Sequence, residues 1–325
     1  MRPESTSAAA RPVLTEFAKE YYEQKALSKF IGLRAAPLFR ANKRTGEYPI
    51  FNRESFKKRV PSQSRAAGGA YNRITGQFGV QTYACAENGL EYPVDAVMRE
   101  QYADLFDAED AATQILVQQL LMGHEARVAA VYSGAGLTNH NVTTAWSTVA
   151  TATAINDFET GFIAICDACG CLTSDLSVII PRADFLELQK VDEIQALTQY
   201  TWKGNESGMI PSSIPAATIA NMLGCKELLV AQGSYDAQEE GYAESNTQFW
   251  TAGVIYIALL AEQEAALAMP SQARTMLWTD DSPDFPVIET YPEPQTRADI
   301  VRARFQTNEV VTGATDILAY KMTNT

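Results

Sequence analysis

The sequence predicts a mixed α+β fold organised around one very long helix. Residues 108–133 repeat apolar side chains at helical spacing, residues 154–261 alternate short helix and strand patterns, and residues 285–322 predict a long β-hairpin. The chain has 325 residues, of which 46% are hydrophobic and 20% charged, values typical of a globular protein and not of a disordered one.

The N-terminal region predicts a loose tail followed by an amphipathic helix. Residues 1–12 are rich in Ser, Thr, Ala and Pro, which is typical of a weakly held terminus. Apolar residues at helical spacing predict a helix over residues 14–32, with Thr15 as its N-cap and Gly32 as its stop. The Pro and Gly residues of positions 37–49 then predict extended chain.

Residues 48–94 predict a long two-stranded excursion with a basic, small-residue tip. The segment between Arg53 and Arg73 holds six Lys or Arg and one acid, Glu54. A loop of this length without a core of its own is usually functional or disordered. The basic residues are Arg53, Lys57, Lys58, Arg59, Arg65 and Arg73.

Charge is distributed unevenly along the chain. Residues 1–80 hold 15 Lys or Arg and 6 Asp or Glu, a net charge of +9, whereas residues 81–325 hold 11 and 33, a net charge of −22. A basic arm on an acidic body suits nucleic acid, a membrane surface, or the acidic body of another copy of the same chain. The last of these requires no outside partner.

The long helix has clear end signals. Asp107 is a good N-cap, and Gly134 provides the stop. Ile115, Leu116 and Leu120 form one apolar stripe, and a second stripe begins at Val117. A helix that is apolar on more than one side is expected to pack against more than one layer.

The remaining chain predicts a mixed domain and a hairpin. Pro292 and Pro294 mark the hairpin turn, and Gly313 marks the next bend. The predicted helices and strands before the hairpin are helix 155–170, strand 175–181, helix 182–191, helix 214–224, strand 226–232 and strand 249–261.

The cysteines invite a metal interpretation that their spacing disfavours. Cys166, Cys169 and Cys171 are close in sequence, with Cys225 as a possible fourth ligand, but Cys166 and Cys169 continue the apolar stripe of a helix. Free Cys at such positions behaves as a small hydrophobe, so buried thiols without metal are expected. Five cysteines without a spaced framework favour a reducing compartment, the cytoplasm.

No catalytic or cofactor motif is present in the sequence. The two histidines, His124 and His140, do not form H-E-x-x-H, and a phosphate-binding G-x-x-x-x-G-K-[ST] loop and G-x-S-x-G are both absent. Residues 133–139, SGAGLTN, follow a helix and lack the third glycine of a dinucleotide site. We therefore expect no enzyme activity, no cofactor and no metal.

The order of these parts resembles the major capsid proteins of tailed bacteriophages, the Hong Kong 97-type fold. The stretch YACAENGLEYPVDAVMREQYADL (83–105) resembles the family's return from the loop to the spine helix, and LTSDLSVIIPRADFLELQ (172–189) resembles a segment of the axial domain. The resemblance implies six parts: an N-terminal arm (1–47), an extended loop (48–94), a peripheral domain with the spine helix (95–150), an axial domain (151–270), a peripheral-domain hairpin (271–310) and a return to the axial domain (311–325).

The resemblance also implies what the chain does and binds. The expected function is self-assembly through pentamers and hexamers into an icosahedral head shell around packaged DNA, without sequence specificity and without a membrane. About 50 residues precede the loop, so a separate scaffolding protein or none is expected; portal and decoration proteins are further expected partners. The expected location is the virion, after assembly in the host cytoplasm. No Lys–Asn crosslink is expected, because no activating acid accompanies Lys57 and Lys58.

The basic loop is expected to lie on acids of a neighbouring copy, which in this sequence include Asp280, Asp281 and Asp284, or Asp104 and Asp107. Exposed ion pairs stabilise by only about 0–1 kcal/mol each, so the effect must come from repetition over many copies.

Two alternative functions are a nucleic-acid-binding protein that uses residues 53–73, and an α/β enzyme with a Gly-rich lid over an anionic substrate. A disordered, solvated surface loop is the plainest alternative.

Overall fold

The computed structural model describes residues 9–21, 30–52, 64–65, 68–69, 71, 79–102, 107–201, 214–238 and 243–324. Within these ranges the helices are α1 (Pro12–Tyr21), α2 (Gly32–Ala35), α3 (Ala96–Tyr102), α4 (Ala108–Ser133), α5 (Ala154–Cys169), α6 (Arg182–Leu188), α7 (Asp192–Thr201) and α8 (Ala216–Leu223). The strands are β1 (Ala9–Ala10), β2 (Leu38–Ala41), β3 (Thr45–Ile50), β4 (Gly79–Ala84), β5 (Ala86–Asp95), β6 (Asn139–Asn141), β7 (Leu176–Pro181), β8 (Glu227–Ala231), β9 (Ser234–Asp236), β10 (Asn246–Gln248), β11 (Val254–Leu259), β12 (Ala273–Trp278), β13 (Val287–Glu293), β14 (Ala298–Val311) and β15 (Ala319–Thr323).

Two larger sheets form the body of the molecule. The six-stranded sheet has the order β1-β13-β14-β12-β2, with β5 also paired to β14. The five-stranded sheet has the order β6-β15-β11-β7-β8. Strands β3 and β4 form a two-stranded ladder, as do β9 and β10.

The long helix α4 connects the two sheets because its apolar residues are not confined to one face. In its first half, Leu116 and Leu120 pack with Val301 of the six-stranded sheet. In its second half, Val128 and Tyr132 join a core that contains the five-stranded sheet. At 1.5 Å per residue, these 26 residues give a helix about 39 Å long. The predicted bounds and the Asp107 cap are confirmed, since Asp107 accepts a hydrogen bond from the Glu109 amide. Ile115 is 47% exposed, so its place in the first buried stripe was wrong.

The five-stranded sheet is covered on its other face by helices. Phe158 and Ile165 of α5 and Ile219 of α8 are fully buried in this core with the sheet residues Val178 and Ile257. The predicted alternation of helices and strands in this region is confirmed. Helix α7 was not predicted, although Asp192 and Glu193 in its first turn are typical of a helix start.

The predicted N-terminal helix was wrong at both ends. Helix α1 begins at Pro12, a residue favoured in the first turn because its missing N–H needs no partner there. Thr15 is therefore inside the helix, and its backbone N–H already donates to the Arg11 carbonyl at 3.0 Å. Gly32 begins α2 instead of ending α1.

The predicted loop 48–94 contains two different structures among its described residues. Strand β3 begins at Thr45 and pairs with β4, as a two-stranded excursion requires. Strand β5 instead pairs with β14 from Ala86 to Asp95 and belongs to the six-stranded sheet. The alternation of side chains along the sequence cannot distinguish a limb of the excursion from a strand of the larger sheet, because both have a period of two residues.

Candidate assembly surfaces

Most of the predicted basic cluster lies outside the described residues, namely Arg53, Lys57, Lys58, Arg59 and Arg73. Asp104, named as a candidate acid, also lies outside them. Arg65 is described: its side chain is exposed, and its guanidinium carbon is 4.5 Å from the centroid of the Tyr71 ring, which is itself exposed. This is a cation–π contact between two residues of the same segment.

The β3–β4 ladder flanks this segment in sequence, because β3 ends at Ile50 and β4 begins at Gly79. Its register runs from Thr45 opposite Ala84 to Ile50 opposite Gly79. The Tyr48 hydroxyl is 2.9 Å from Oε1 of Gln81 across the ladder, and Tyr48 is buried. Tyr48 packs with Tyr83, Cys85 and Met276 of β12 in a small core. Buried aromatic side chains thus attach the ladder to the six-stranded sheet.

Phe51 is the last anchored residue before the basic segment. Its amide donates to the Thr312 carbonyl at 3.0 Å, and its carbonyl accepts from the Ala314 amide at 3.1 Å. The Phe51 ring is 3% exposed and packs in the core of the five-stranded sheet. The chain therefore passes between the two sheets, held on both sides, immediately before residue 53.

The N-terminal arm is held on the opposite part of the six-stranded sheet. Strand β1 pairs with β13, and Leu14 and Ala18 of α1 are buried in the core that includes α4. The Thr15 hydroxyl donates to the Arg11 carbonyl at 3.1 Å and accepts from the Ile288 amide at 3.4 Å. The described part of the arm is therefore packed on its own chain.

Two of the three acids proposed to meet a neighbouring loop bind cations of their own chain. Asp284 accepts from Lys19 Nζ at 2.7 Å, and Asp281 accepts from Arg304. Asp280 is exposed. Asp107, another acid named from the sequence, is exposed and caps α4.

Arg304 and Arg302 form a row of ion pairs across three neighbouring strands. Arg304 Nη2 lies 2.8 Å from Oε1 of Glu289 on β13, and Arg302 Nε lies 2.9 Å from Oε1 of Glu91 on β5. Arg302 also lies 3.5 Å from Glu289. Residues two apart on a strand share a face, so both arginines project on the side opposite to buried Val301 and Ala303. This row was not predicted, although the alternation of apolar and basic residues in 301–305, VRARF, indicates it.

A buried carboxyl group lies where α4, the start of α2 and the five-stranded sheet meet. Glu125 is fully buried; one carboxyl oxygen accepts from the Gly32 amide and the other accepts from Trp250 Nε1 at 2.6 Å. A Cβ on Gly32 would lie 2.7 Å from that carboxyl oxygen, so only glycine allows this close approach. Burial raises the pKa of Glu125 to about 7, although the Trp250 and Gly32 hydrogen bonds act in the opposite direction.

His124, the preceding residue, is buried on the sheet side of α4. Its Nε2 is 3.1 Å from the Thr275 hydroxyl oxygen, whose own hydrogen is donated to the Ala36 carbonyl at 2.9 Å. The imidazole must therefore donate from Nε2. Burial lowers the pKa of His124 to about 4, while Glu309, 3.7 Å away, acts to raise it. His124 was predicted to be either a packed or a surface residue, and the structure shows that it is packed.

Three thiols are close together at the end of α5. Cys169 is 8% exposed, as expected, but Cys166 is only half-buried, so its predicted full burial was wrong. Cys166 is three residues before the last residue of α5 and is not among the residues of its buried stripe, which include Phe162, Ile165 and Cys169. Among the residues that the structure describes, no group of three His, Cys, Asp or Glu side chains is placed to hold a metal ion. In the same part of the chain, no helix is long and apolar enough to cross a membrane.

In sequence, part of the chain is similar to the major capsid protein of Burkholderia phage BcepMu. The two share 33% identity over 119 residues, which are 36% of this chain and 36% of that protein. The aligned region thus spans about a third of the curated relative. No family model matches the chain.

Comparison of structures extends the likeness over almost the whole chain. A phage-related protein from Bordetella bronchiseptica RB50 superposes with a TM-score of 0.72 at 16% identity, covering 98% of this chain and 97% of that chain. A virus-like particle from Pyrococcus furiosus gives 0.55 at 9% identity, covering 95% and 97%. A structure from Mycobacterium phage Che8 gives 0.51 at 13% identity, covering 99% and 94%. The chain therefore has the Hong Kong 97-type capsid fold, as the order of elements along its sequence predicts.

Proposed function

We propose that this protein is the major capsid protein of a tailed bacteriophage and assembles into a closed icosahedral shell. The observation that carries the proposal is the fold, which resembles that of a virus-like particle and of a phage structure over at least 95% of this chain. The similarity to a phage major capsid protein over 119 residues supports the same assignment. The role is structural, and no catalytic step is proposed.

In the proposed subunit, each part of the chain has a place in the lattice. The β3–β4 ladder is the root of the extended loop, α4 is the spine of the peripheral domain, and the five-stranded sheet with α5 and α8 is the axial domain near the centre of a hexamer or pentamer. The anchors at Tyr48 and Phe51 support this assignment, because a loop that transmits force between subunits needs a rigid attachment to its own body.

The charge distribution supports contact between copies. A segment with six cations and one acid lies next in sequence to the anchored Phe51, and residues 81–325 carry a net charge of −22. Because Asp281 and Asp284 bind Arg304 and Lys19 within their own chain, we assign the loop contact to exposed acids such as Asp280. Each such pair stabilises weakly, and a closed lattice repeats it many times.

The proposed location is the virion, with assembly in the host cytoplasm. The proposed partners are other copies of the chain, packaged DNA bound without sequence specificity, and, at defined stages or vertices, scaffolding, portal or decoration proteins. An acidic inner wall would repel phosphate groups, which would leave packaged DNA mobile.

Self-assembly is the property that tests the proposal. The full chain, expressed alone and together with a candidate scaffolding protein from the same phage genome, should elute as hexamers and pentamers or as larger particles, and electron microscopy should show closed shells. A strictly monomeric protein at high concentration under both conditions would contradict the proposal. A monomer or dimer that retains nucleic acid through residues 53–73 would support the nucleic-acid-binding alternative instead.

A further inference from the structure

The C-terminal cap of α5 brings cysteines together in space. Gly170 ends the helix in the left-handed conformation, with φ of 79°, and its amide donates to the Cys166 carbonyl at 2.8 Å. In a helix end of this kind, the residue after the glycine folds back against the last turn. Here that residue is Cys171, and the residue it meets is Cys166.

The two sulfur atoms are in contact. Cys171 Sγ lies 3.8 Å from Cys166 Sγ. A disulfide requires about 2.0 Å, so the two side chains must rotate toward each other for the bond to form. Both side chains are half-buried, whereas Cys169 beside them is buried. Of the remaining cysteines, Cys85 is buried in a separate core, and Cys225 is buried in the same core as Cys169.

A cavity gives small molecules access to this cluster. Its volume is about 600 Å³, and it is lined by Cys169, Cys171, Asp175, Lys226, Leu260 and Met269. The side chains of Met269 and Lys226 are exposed at its edge. A small disulfide reagent can therefore approach Cys171 from solvent.

We propose that Cys166 and Cys171 are a redox-active pair that forms an intramolecular disulfide by exchange with a small-molecule disulfide of the glutathione class. One cysteine thiolate attacks the reagent's S–S bond, which breaks to give a mixed disulfide and one released thiolate. The second cysteine thiolate then attacks the protein sulfur of the mixed disulfide and displaces the second reagent thiolate. Two protein thiols are oxidised, one reagent disulfide is reduced to two thiols, and the two cysteine protons pass to those thiols.

The rate of this exchange should depend on pH. Burial and the neighbouring Cys169 and Cys166 thiols raise the pKa of Cys171. Only the thiolate reacts, so exchange should be slow at neutral pH and faster under mildly alkaline conditions. If the chain is a shell subunit as proposed, the reaction belongs to particles outside the cell, since cytoplasmic glutathione keeps thiols reduced.

The experiment uses the full-length protein, purified reduced and then treated with oxidised glutathione at mildly alkaline pH. Thiol titration under denaturing conditions should fall from five to three per chain, five being the number of cysteines and two the number consumed. Proteolysis before aspartate separates Cys166 from Cys169 and Cys171 at Asp167. A Cys166–Cys171 bond should then keep two peptides linked until reduction, as read by mass spectrometry.

Single variants assign the bond. Cys169→Ser should still form the linked peptides, whereas Cys166→Ser and Cys171→Ser should lose no thiols to an internal bond. Five titratable thiols in the treated wild type, or a bond confined to the peptide that contains Cys169 and Cys171, would overturn the proposal. The assay does not require assembled shells, so its failure is distinguishable from a failure to self-assemble.

Discussion

At the scale of single residues, burial shifts the pKa values of two adjacent side chains of α4, Glu125 and His124, in opposite directions. Glu125 accepts from the Gly32 amide and from Trp250, and His124 donates to Thr275. Burial disfavours the charged form of each, so the pKa of Glu125 is raised to about 7 and that of His124 is lowered to about 4. Arg127, Glu309, Tyr132 and Tyr256 are further ionisable residues packed around this junction.

These shifts have opposite effects on stability as pH changes. Between its ordinary value of 4.5 and about 7, Glu125 keeps a proton that the unfolded chain has lost, so its contribution to the free energy of unfolding falls as pH rises. Between about 4 and its ordinary 6.5, His124 lacks a proton that the unfolded chain holds, so its contribution rises with pH. From pH 4.5 to 6.5 the two contributions oppose each other.

Glu125→Gln should remove the Glu125 contribution, so that the pH dependence of the free energy of unfolding reflects His124 without this opposing effect. Relative to wild type, the free energy of unfolding should rise with pH between 4.5 and 6.5, by up to about 1.4 kcal/mol per pH unit. Urea denaturation followed by tryptophan fluorescence at several pH values measures the slope. Glu159→Gln, which removes an exposed carboxylate from α5, is the matched control and should keep the wild-type slope. Identical slopes for Glu125→Gln and wild type would show that Glu125 does not retain a proton in this window.

At the scale of elements, the β5–β14–β13 face depends on arginines that each bind two carboxylates. Arg304 has a side chain only 15% exposed and pairs with Glu289 and Asp281. Arg99 of α3 makes a similar pair of contacts, with Glu109 at 2.7 Å and Asp299 at 2.9 Å, but its side chain is 41% exposed. Burial should decide which of the two matters for stability, because a charge left unpaired in the interior is not screened by water.

Arg304→Met should destabilise the chain by about 2–3 kcal/mol, since Glu289 is left partly buried without this partner. Arg99→Met is the matched control and should cost less than about 1 kcal/mol because water screens its acids. Chemical denaturation of the two variants and wild type in one buffer provides the comparison. Equal losses for both variants would mean that burial does not control the strength of this row.

At the scale of the whole molecule, residues on both sides of the basic segment are anchored in the body. We therefore expect the subunit to fold without the tip of this segment. Phe51 and the β3–β4 ladder are held by buried side chains, whereas residues 62–71 are mostly small or basic. The described residues of this stretch, which are residues 64, 65, 68, 69 and 71, belong to none of the buried hydrophobic cores. The body should therefore remain folded when the loop tip is removed, whereas the contacts between copies of the chain should be weakened.

Deleting Ser62 to Tyr71 should leave the circular dichroism spectrum and unfolding midpoint close to wild type and should strongly reduce the yield of shells. Reversing the charge of Lys57, Lys58 and Arg59 should reduce the yield less, and more so at low salt, where screening lengths grow to about 30 Å. The charge-preserving variant Lys57→Arg with Lys58→Arg is the control and should assemble normally. Normal shells from the deletion would show that the tip is only a surface loop, and an unfolded deletion would show that it belongs to a core.

The sequence by itself determined the order of elements, the bounds of α4, the late hairpin and the resemblance to capsid proteins. These features are local, because helix periodicity, an N-cap at Asp107 and turn residues are read within a short window. The same local signals failed at Thr15 and Gly32, where Pro12 and the side chain of Glu125, 93 residues away, set the structure.

Only the tertiary structure decided which strands pair and which charges meet. Strand β5 has the pattern of a loop limb, yet it pairs with β14 about 200 residues later in the chain. Asp281 and Asp284 are proposed from the sequence as contacts for a neighbouring copy, and only the structure shows that Arg304 and Lys19 of the same chain lie beside them. Strand partnership and ion pairing depend on distance in space, and side chains far apart in sequence reach that distance only when the two sheets and α4 have packed.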